Sequence, residues 1–380
     1  MTEPSREYVT QSDPQLKKTF QGHRAPISSV DVKNSKKQAV SGSEDGCVQI
    51  WHLQSNARPY RFAGHRGPVT DVCFSPNSEL IASASTDETV KIWENTIEGR
   101  SKTIKAHSGA VRSVRFSNDG RMLLTGSDDK SIKIWGVGDK RFYTSLLGHL
   151  NWVRSARFSP DSRMVVSTGD DNTVKLWDMS QKDPLGSFQL EQSGLSARFH
   201  PDGTSIAAGS ADHKIRLWDM RSHRLIQYYD AHSDTVNSID FHPSGYYMLS
   251  AGSDSTLKIW DLREGHILYT VYGHERAANC VAFDETGDFF VSGGADYKMM
   301  LWRASVETSG KVQKLPQKAQ KKKENQTNEP SNSLAEELSG TLDSIVQQLD
   351  TVTKAVVLLN QRVNRFEDHL NYISSHLSTN

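Results

Sequence analysis

The stretch Asp171-Asn172-Thr173-Val174-Lys175-Leu176-Trp177-Asp178 decides the fold, because it is one copy of a frame that the chain repeats. In each copy an Asp is followed by five residues and then a Trp. The pairs are Asp45/Trp51, Asp87/Trp93, Asp129/Trp135, Asp171/Trp177, Asp212/Trp218, Asp254/Trp260 and Asp296/Trp302. Successive Trp residues stand 42, 42, 42, 41, 42 and 42 positions apart, and seven of the eight Trp residues lie on this grid. A second marker keeps nearly the same step: Gly-His at His23, His65, His149 and His274, and Ala-His at Ala106-His107 and Ala231-His232. A fixed period of this length dictates a repeat architecture before any other reading is considered.

Within one period the hydrophobic pattern gives four strand-like pieces. In the second repeat Val69–Phe74 alternates, Ser75-Pro76-Asn77-Ser78 supplies a turn, and Glu79–Ala84 forms a second strand. Asp87-Glu88 turns the chain again, Thr89–Trp93 is a third strand, and Ser101–Lys105 is a weaker fourth. Short β-rich runs broken by Pro, Asp, Asn and Gly are hairpin signals. Four of them every 40–45 residues is the pattern of a propeller blade. Residues 14–303 therefore resemble an all-β, seven-bladed WD40 propeller. The last repeat stops at its third strand, at Leu301-Trp302, and a lone strand, Leu16–Phe20, precedes the first Gly-His. The spacing predicts that this strand completes the last blade and closes the ring, leaving only short, protected sheet edges.

Ser, His and Asp recur together, as at His149, Ser167 and Asp171, which raises the question of nucleophilic catalysis. A catalytic triad is a single constellation at an open cleft, whereas this set recurs around the ring. The resemblance to WD-repeat propellers implies instead a buried tetrad: His to Asp, His to a hydroxyl, and that hydroxyl to the Trp indole. The carry-over fits His23/Ser41/Asp45/Trp51, His65/Ser83/Asp87/Trp93, His107/Thr125/Asp129/Trp135, His149/Ser167/Asp171/Trp177, His232/Ser250/Asp254/Trp260 and His274/Ser292/Asp296/Trp302. Blade five departs. Its His position falls near Leu190-Glu191, its hydroxyl position is Ala208, and the one short step of the grid lies here. Blade five is expected to be the softest part of the ring. No catalytic residue, cofactor or metal site is read from the sequence.

By the same resemblance, the broad face over the channel grips proteins. The positions that point there lie three and five residues after the His and one before the Asp. In blades three and four these are Ala110, Arg112, Asp128, Trp152, Arg154 and Asp170. Trp152 is the Trp off the grid, and a Trp beside two Arg residues is a hot-spot composition. Arg112, Asp128, Trp152, Arg154 and Asp170 are the candidate protein-binding residues. Trp218-Asp219-Met220-Arg221 and Trp260-Asp261-Leu262-Arg263 are similar to a short motif of substrate receptors of cullin-type ubiquitin ligases, but that motif overlaps the repeat pattern.

The 380 residues carry zero net charge, which argues against an overall electrostatic grip on nucleic acid. Cys47, Cys73 and Cys280 stand far apart with no CxxC pair, so neither a zinc site nor a disulfide framework is suggested, and a reducing compartment fits. No apolar run is long enough to span a membrane. The polar N-terminus reads as a flexible tail, residues 1–13, and not as a secretory signal.

After Trp302 the composition shifts. Residues 304–332 read as a basic, disordered linker, with Lys311, Lys314, Lys318, Lys321, Lys322 and Lys323 following one another with no acid until Glu324. A basic run can touch an acidic surface such as a microtubule, or serve as a nuclear signal; a solvated linker is the plainer reading. Ser333-Leu334-Ala335-Glu336 has the capping-box pattern that opens a helix. From there to residue 378 a heptad seam is apolar throughout. Its a positions are Ala335, Leu342, Leu349, Val356, Val363, Leu370 and Leu377, and its d positions are Leu338, Ile345, Val352, Leu359, Phe366 and Ile373. The spacing predicts a coiled coil, a rod of roughly 65 Å. The chain is then a homo-oligomer through Leu338, Leu342, Ile345, Leu349, Val352, Val356, Leu359, Val363, Phe366 and Leu370. The mixed seam leaves dimer and trimer open.

Propeller and tail together resemble the centriolar WD-repeat family known as proteome of centriole protein one. The residues that carry this are His149-Leu150-Asn151-Trp152-Val153-Arg154, Ser253-Asp254-Ser255-Thr256-Leu257-Lys258-Ile259 and Ile345-Val346-Gln347-Gln348-Leu349-Asp350. The resemblance implies a non-enzymatic scaffold of centrioles and basal bodies that supports their stability and cilium formation. It implies centriolar and microtubule-associated partners, and residence in the cytoplasmic cytoskeleton at centriole, centrosome, basal body and spindle pole. The rival reading is a WD-repeat substrate receptor of a cullin-type ubiquitin ligase.

Overall fold

The computed structural model describes residues 13–306 apart from 34–36, 56, 140 and 182. The reading of residues 1–13 as a tail, Asp13 apart, and those of the linker beyond 306 and of the coiled coil lie outside the described residues. Within them are twenty-eight strands, numbered β1–β28 in chain order, arranged as seven four-stranded antiparallel sheets. The fourth sheet is typical. It runs β14 (Val153–Phe158), β15 (Met164–Gly169), β16 (Thr173–Asp178) and β17 (Pro184–Gln189), from the channel outward. The innermost strands of the other sheets are β2 (Ile27–Lys33), β6 (Val69–Phe74), β10 (Val111–Phe116), β18 (Gly194–Phe199), β22 (Val236–Phe241) and β26 (Ala278–Phe283).

The seventh sheet joins the two ends of the ring. Its order is β1 (Gln15–Gln21), β28 (Lys298–Arg303), β27 (Phe289–Gly294), β26. β1 pairs antiparallel with β28 from Gln15↔Arg303 to Gln21↔Lys298, with an irregularity between Leu16 and Lys18. Phe20 is buried and lies 5.4 Å, ring to ring, from Trp51 of the first blade. The closing strand thus also packs on the neighbouring blade.

Alternation along each strand sends apolar side chains to both faces of its sheet, and each face meets the next blade. The core is accordingly seven interfaces and not one centre. Leu124, Ile132, Ile134 and Leu146 of blade three pack with Val153, Ala156, Val165 and Trp177 of blade four. Polar straps from the inner strands tie neighbours together. Ser28 Oγ donates to Val69 O (2.6 Å), Thr70 Oγ1 to Val111 O (2.5 Å), Asn237 Nδ2 to Ala278 O (2.9 Å) and Asn279 Nδ2 to Ile27 O (2.8 Å). Deeper in the channel, the Asp31 carboxylate accepts from Phe74 N–H, that of Asp71 from Val114 N–H and that of Asp240 from Phe283 N–H.

The turn between the second and third strands explains the invariant Asp of the frame. The residue after it has positive φ in all seven blades: Gly46, Glu88, Lys130, Asn172, His213, Ser255 and Tyr297, at 59–74°. That conformation costs a non-Gly residue roughly 1 kcal/mol. The Asp side chain offsets it by accepting the N–H two residues on, for example Thr173 N to Asp171 Oδ1 at 3.2 Å and Lys214 N to Asp212 Oδ1 at 3.2 Å.

Candidate functional site

Each polar set forms a closed chain of hydrogen bonds. In blade four Trp177 Nε1 donates to Ser167 Oγ at 2.8 Å, Ser167 Oγ lies 2.7 Å from His149 Nε2, and His149 Nδ1 lies 2.8 Å from Asp171 Oδ2. The indole can only donate, so the hydroxyl donates to Nε2 and the imidazole carries its proton on Nδ1, donating to the carboxylate. The same chain recurs in the five other blades read from the sequence, with indole–hydroxyl distances of 2.8–3.1 Å. All six hydroxyls, Ser41, Ser83, Thr125, Ser167, Ser250 and Ser292, have zero exposure. A hydroxyl so enclosed, and already accepting the indole proton, meets no substrate.

Burial lowers the His23, His65 and His232 imidazoles below their ordinary range, despite the Asp beside each. Burial alone would raise the Asp carboxylates. Hydrogen bonds outweigh it: Thr89 Oγ1, Arg66 N–H and His65 bring Asp87 down to about 2. In these three blades the neutral imidazole and ionised carboxylate are thus the folded forms.

Gly-His follows from the same packing. A Cβ at Gly148 would stand 3.0 Å from Trp177 Cη2, and one at Gly273 2.6 Å from Trp302 Cη2. Blade five solves the position differently. The register Thr173↔Gln189 matches Ser131↔Leu147 two places before His149, which puts Glu191 in the His slot and buried Leu190 in the Gly slot. The loop from Glu191 to β18 is one residue short. Arg216, two before Trp218, bridges the gap: Nη1 lies 2.7 Å from Asp212 Oδ2 and Nη2 3.0 Å from Glu191 Oε1. Asp212 keeps its turn, an ion cluster replaces the tetrad, and Ala208 holds the place of the tetrad hydroxyl, ten residues before Trp218.

The candidate binding residues come together. Arg112 makes a two-pronged pair with Asp128 (Nε–Oδ1 2.9 Å, Nη2–Oδ2 2.7 Å), and Arg154 repeats it with Asp170 (2.8 and 2.6 Å). Trp152 lies between them, its ring centroid 5.7 Å from the Arg112 guanidinium carbon and 5.4 Å from that of Arg154. It remains 41% exposed, and Leu150 beside it 80%. The loop is fixed from below: Asp170 N–H donates to Trp152 O at 2.9 Å, and Trp152 N–H to Asn151 Oδ1 at 2.9 Å. The patch is an aromatic plate clamped by two cations whose charges are already met. Such a plate loses little freedom on docking.

Of the two Trp-Asp-x-Arg arginines, Arg263 folds back on its own blade, pairing with Asp261 (2.7 Å) and donating to the Tyr247 hydroxyl (3.0 Å). Arg221 is fixed through its backbone, N–H to Asp219 Oδ1 at 2.8 Å. Cys47, Cys73 and Cys280 are free and buried, and burial pushes the Cys73 thiol up to about 12. Among the described residues no group of His, Cys, Asp and Glu is placed to hold a metal ion, and no helix is long and apolar enough to cross a membrane. Arg115, Arg157 and Arg198 also line the channel, and their shared phase in three successive repeats is the trace they leave in the sequence.

The family model for the WD domain, G-beta repeat, matches residues 14–52, 57–94 and 99–136, and that for the nucleolar protein 10-like N-terminal domain matches residues 138–302. Among curated proteins, the chain is 45% identical over 49 residues to POC1 centriolar protein homolog A of Bos taurus, covering 13% of this chain and 12% of that protein. It is 42% identical over 50 residues to homolog A of Xenopus laevis and 43% over 50 residues to homolog B of the same frog, 13% of this chain and 11% of each. The aligned segment thus spans about an eighth of the relatives it matches. The chain is a seven-bladed propeller protein with WD40 repeats, similar over that segment to the POC1 centriolar proteins.

Proposed function

We propose that this protein is a non-enzymatic, centriole-associated scaffold. Its propeller docks on centriolar and microtubule-associated proteins through the Trp152 plate and its two Arg–Asp clamps. Its C-terminal heptad segment, 333–378, joins several copies. The observation that carries the docking role is the exposed Trp152 held between Arg112 and Arg154. A preorganised aromatic with fixed neighbours is the composition of a binding hot spot. The centriolar setting rests on similarity to proteins of that name. Several linked copies convert weak docking into avidity without new contacts, which suits the support of centrioles and basal bodies, cilium formation and residence at spindle poles.

The test is proximity labelling and imaging of three forms of the full chain in ciliated cells: wild type, Trp152→Ala, and a deletion of 333–380. Trp152→Ala is expected to leave stability within about 0.5 kcal/mol, as for surface changes, while cutting the labelled neighbours. The deletion is expected to disperse the protein from centrioles. Wild type absent from centrioles would end the centriolar reading. Full localisation and rescue by the deletion would end the oligomeric one, and an unchanged neighbour set in Trp152→Ala would end the docking role.

A further inference from the structure

Three successive inner strands, β10, β14 and β18, carry an arginine at one position of the repeat: Arg115, Arg157 and Arg198. All three line a polar cavity of about 100 Å³ at the centre of the ring, together with the hydroxyls of Ser113, Ser155 and Ser196. The flanking members are paired. Arg115 Nη2 lies 2.9 Å from Asp71 Oδ1 and its Nη1 donates to Val72 O at 2.6 Å, while Arg198 Nη1 lies 3.3 Å from Asp240 Oδ1. Arg157 stands between two cations with no acidic partner among the described residues. In all three the Nε–H is buried and finds no acceptor in the protein.

The nearby acids are not free to turn toward Arg157. Asp71 already accepts from Val72 N–H, Val114 N–H and the Ser29 hydroxyl, and Asp240 from Phe241 N–H and Phe283 N–H. The bonds from Ser29, Val114 and Phe283 join neighbouring blades, so breaking one loosens a joint. A half-buried cation between two others, with unmet donors on each, is costly as it stands. It is favourable around an anion that meets the fork of Arg157 and the unmet Nε–H of Arg115 and Arg198. A tetrahedral oxyanion of charge −2 or more fits best, because a pair of its oxygens matches the Arg157 fork and the others remain for the flanking donors.

We infer that the propeller channel is a binding site for a small free phosphate, held by Arg157 at the centre and by Arg115 and Arg198 at its flanks. Bound there, the anion bridges blades three, four and five and stabilises the ring by mass action.

The test titrates inorganic phosphate into the full chain at constant ionic strength, against sodium chloride, reading the unfolding temperature and the ³¹P NMR line width. Wild type is expected to show a saturable rise and line broadening. Arg157→Gln is expected to bind roughly tenfold more weakly or worse, the cost of a charged hydrogen-bonding partner. Without ligand it unfolds no earlier than wild type, because a repelling charge is gone. Arg163→Gln, a change at a side chain that is 85% exposed, is expected to bind as wild type does. A response that does not saturate, that chloride reproduces, or that Arg157→Gln and Arg163→Gln share would overturn the assignment. Should Arg157→Gln fail to fold, Arg157→Lys keeps the charge and loses the fork; severalfold weakening supports the site, and wild-type affinity overturns it.

Discussion

At the scale of single residues, the tetrad is a stability device whose members cannot be removed one at a time without leaving a buried group unpaired. Ser167→Ala strands both the Trp177 indole and His149 Nε2, each enclosed by the blade. The expected loss is about 1–3 kcal/mol, read as a lower denaturant midpoint with an unchanged slope. The same residues set the response to acid. For His23, His65 and His232 the folded pKa lies below the unfolded value of about 6.5. Their contribution is full above that value and is lost as pH falls through the folded ones. The carboxylates repeat the sign lower down: Asp87 and Asp254 fall to about 2 from an ordinary value near 3.8. Unfolding temperature should therefore decline in two stages on acidification, one beginning near pH 6.5 and a second between about pH 4 and 2. A single stage confined to pH below 4 would remove the histidines from the account. The tetrads were legible in the sequence because each member sits at a fixed offset from the Trp. The Asp171-type turn was not, since a positive φ leaves little trace when Glu88, Lys130 or Tyr297 occupies it.

At the scale of elements, blade five is the exception that tests the rule. Its strands β18, β19 (Ser205–Ser210), β20 (Lys214–Asp219) and β21 (Leu225–Asp230) keep the register of the others. What changes is the tie between blade and loop: a chain of hydrogen bonds through a buried imidazole gives way to the Asp212–Arg216–Glu191 cluster, whose Glu191 side chain is 65% exposed. Exposed ion pairs are screened by salt. Amide exchange in β19 and β20 is expected to outpace that in β15 and β16, and the gap should widen at 0.5 M salt. Equal protection at both salt concentrations would mean the cluster replaces the tetrad in full. The departure at Leu190-Glu191 and Ala208 was visible in the sequence. The role of Arg216 was not, because its partners lie 25 and four residues before it, and only the folded loop brings them to one point.

At the scale of the whole molecule, a ring has no edge to lose until its closure fails. β1 supplies that closure by pairing with β28 and by placing Phe20 against Trp51. Removing residues 13–21 should cost at least about 3 kcal/mol, the loss of one buried Phe alone. It should also broaden the unfolding transition and promote self-association through the bared edge of β28; a sharp transition at the wild-type midpoint would show the ring does without its clasp. The sequence by itself determined the number of blades, the strand that joins last to first, and the offsets at which the members of the six tetrads recur. It could do so because each repeat solves the same local problem of alternation, turn and buried polar pairing, and writes the solution at the same offsets. Only the tertiary structure decided that Arg112 and Arg154 turn to Asp128 and Asp170 and clamp Trp152, that Glu191 takes the slot of a histidine, and that three arginines from separate strands share one cavity. Those outcomes depend on which side chains the closed ring sets side by side, and residues some 42 positions apart become neighbours only when the blades pack.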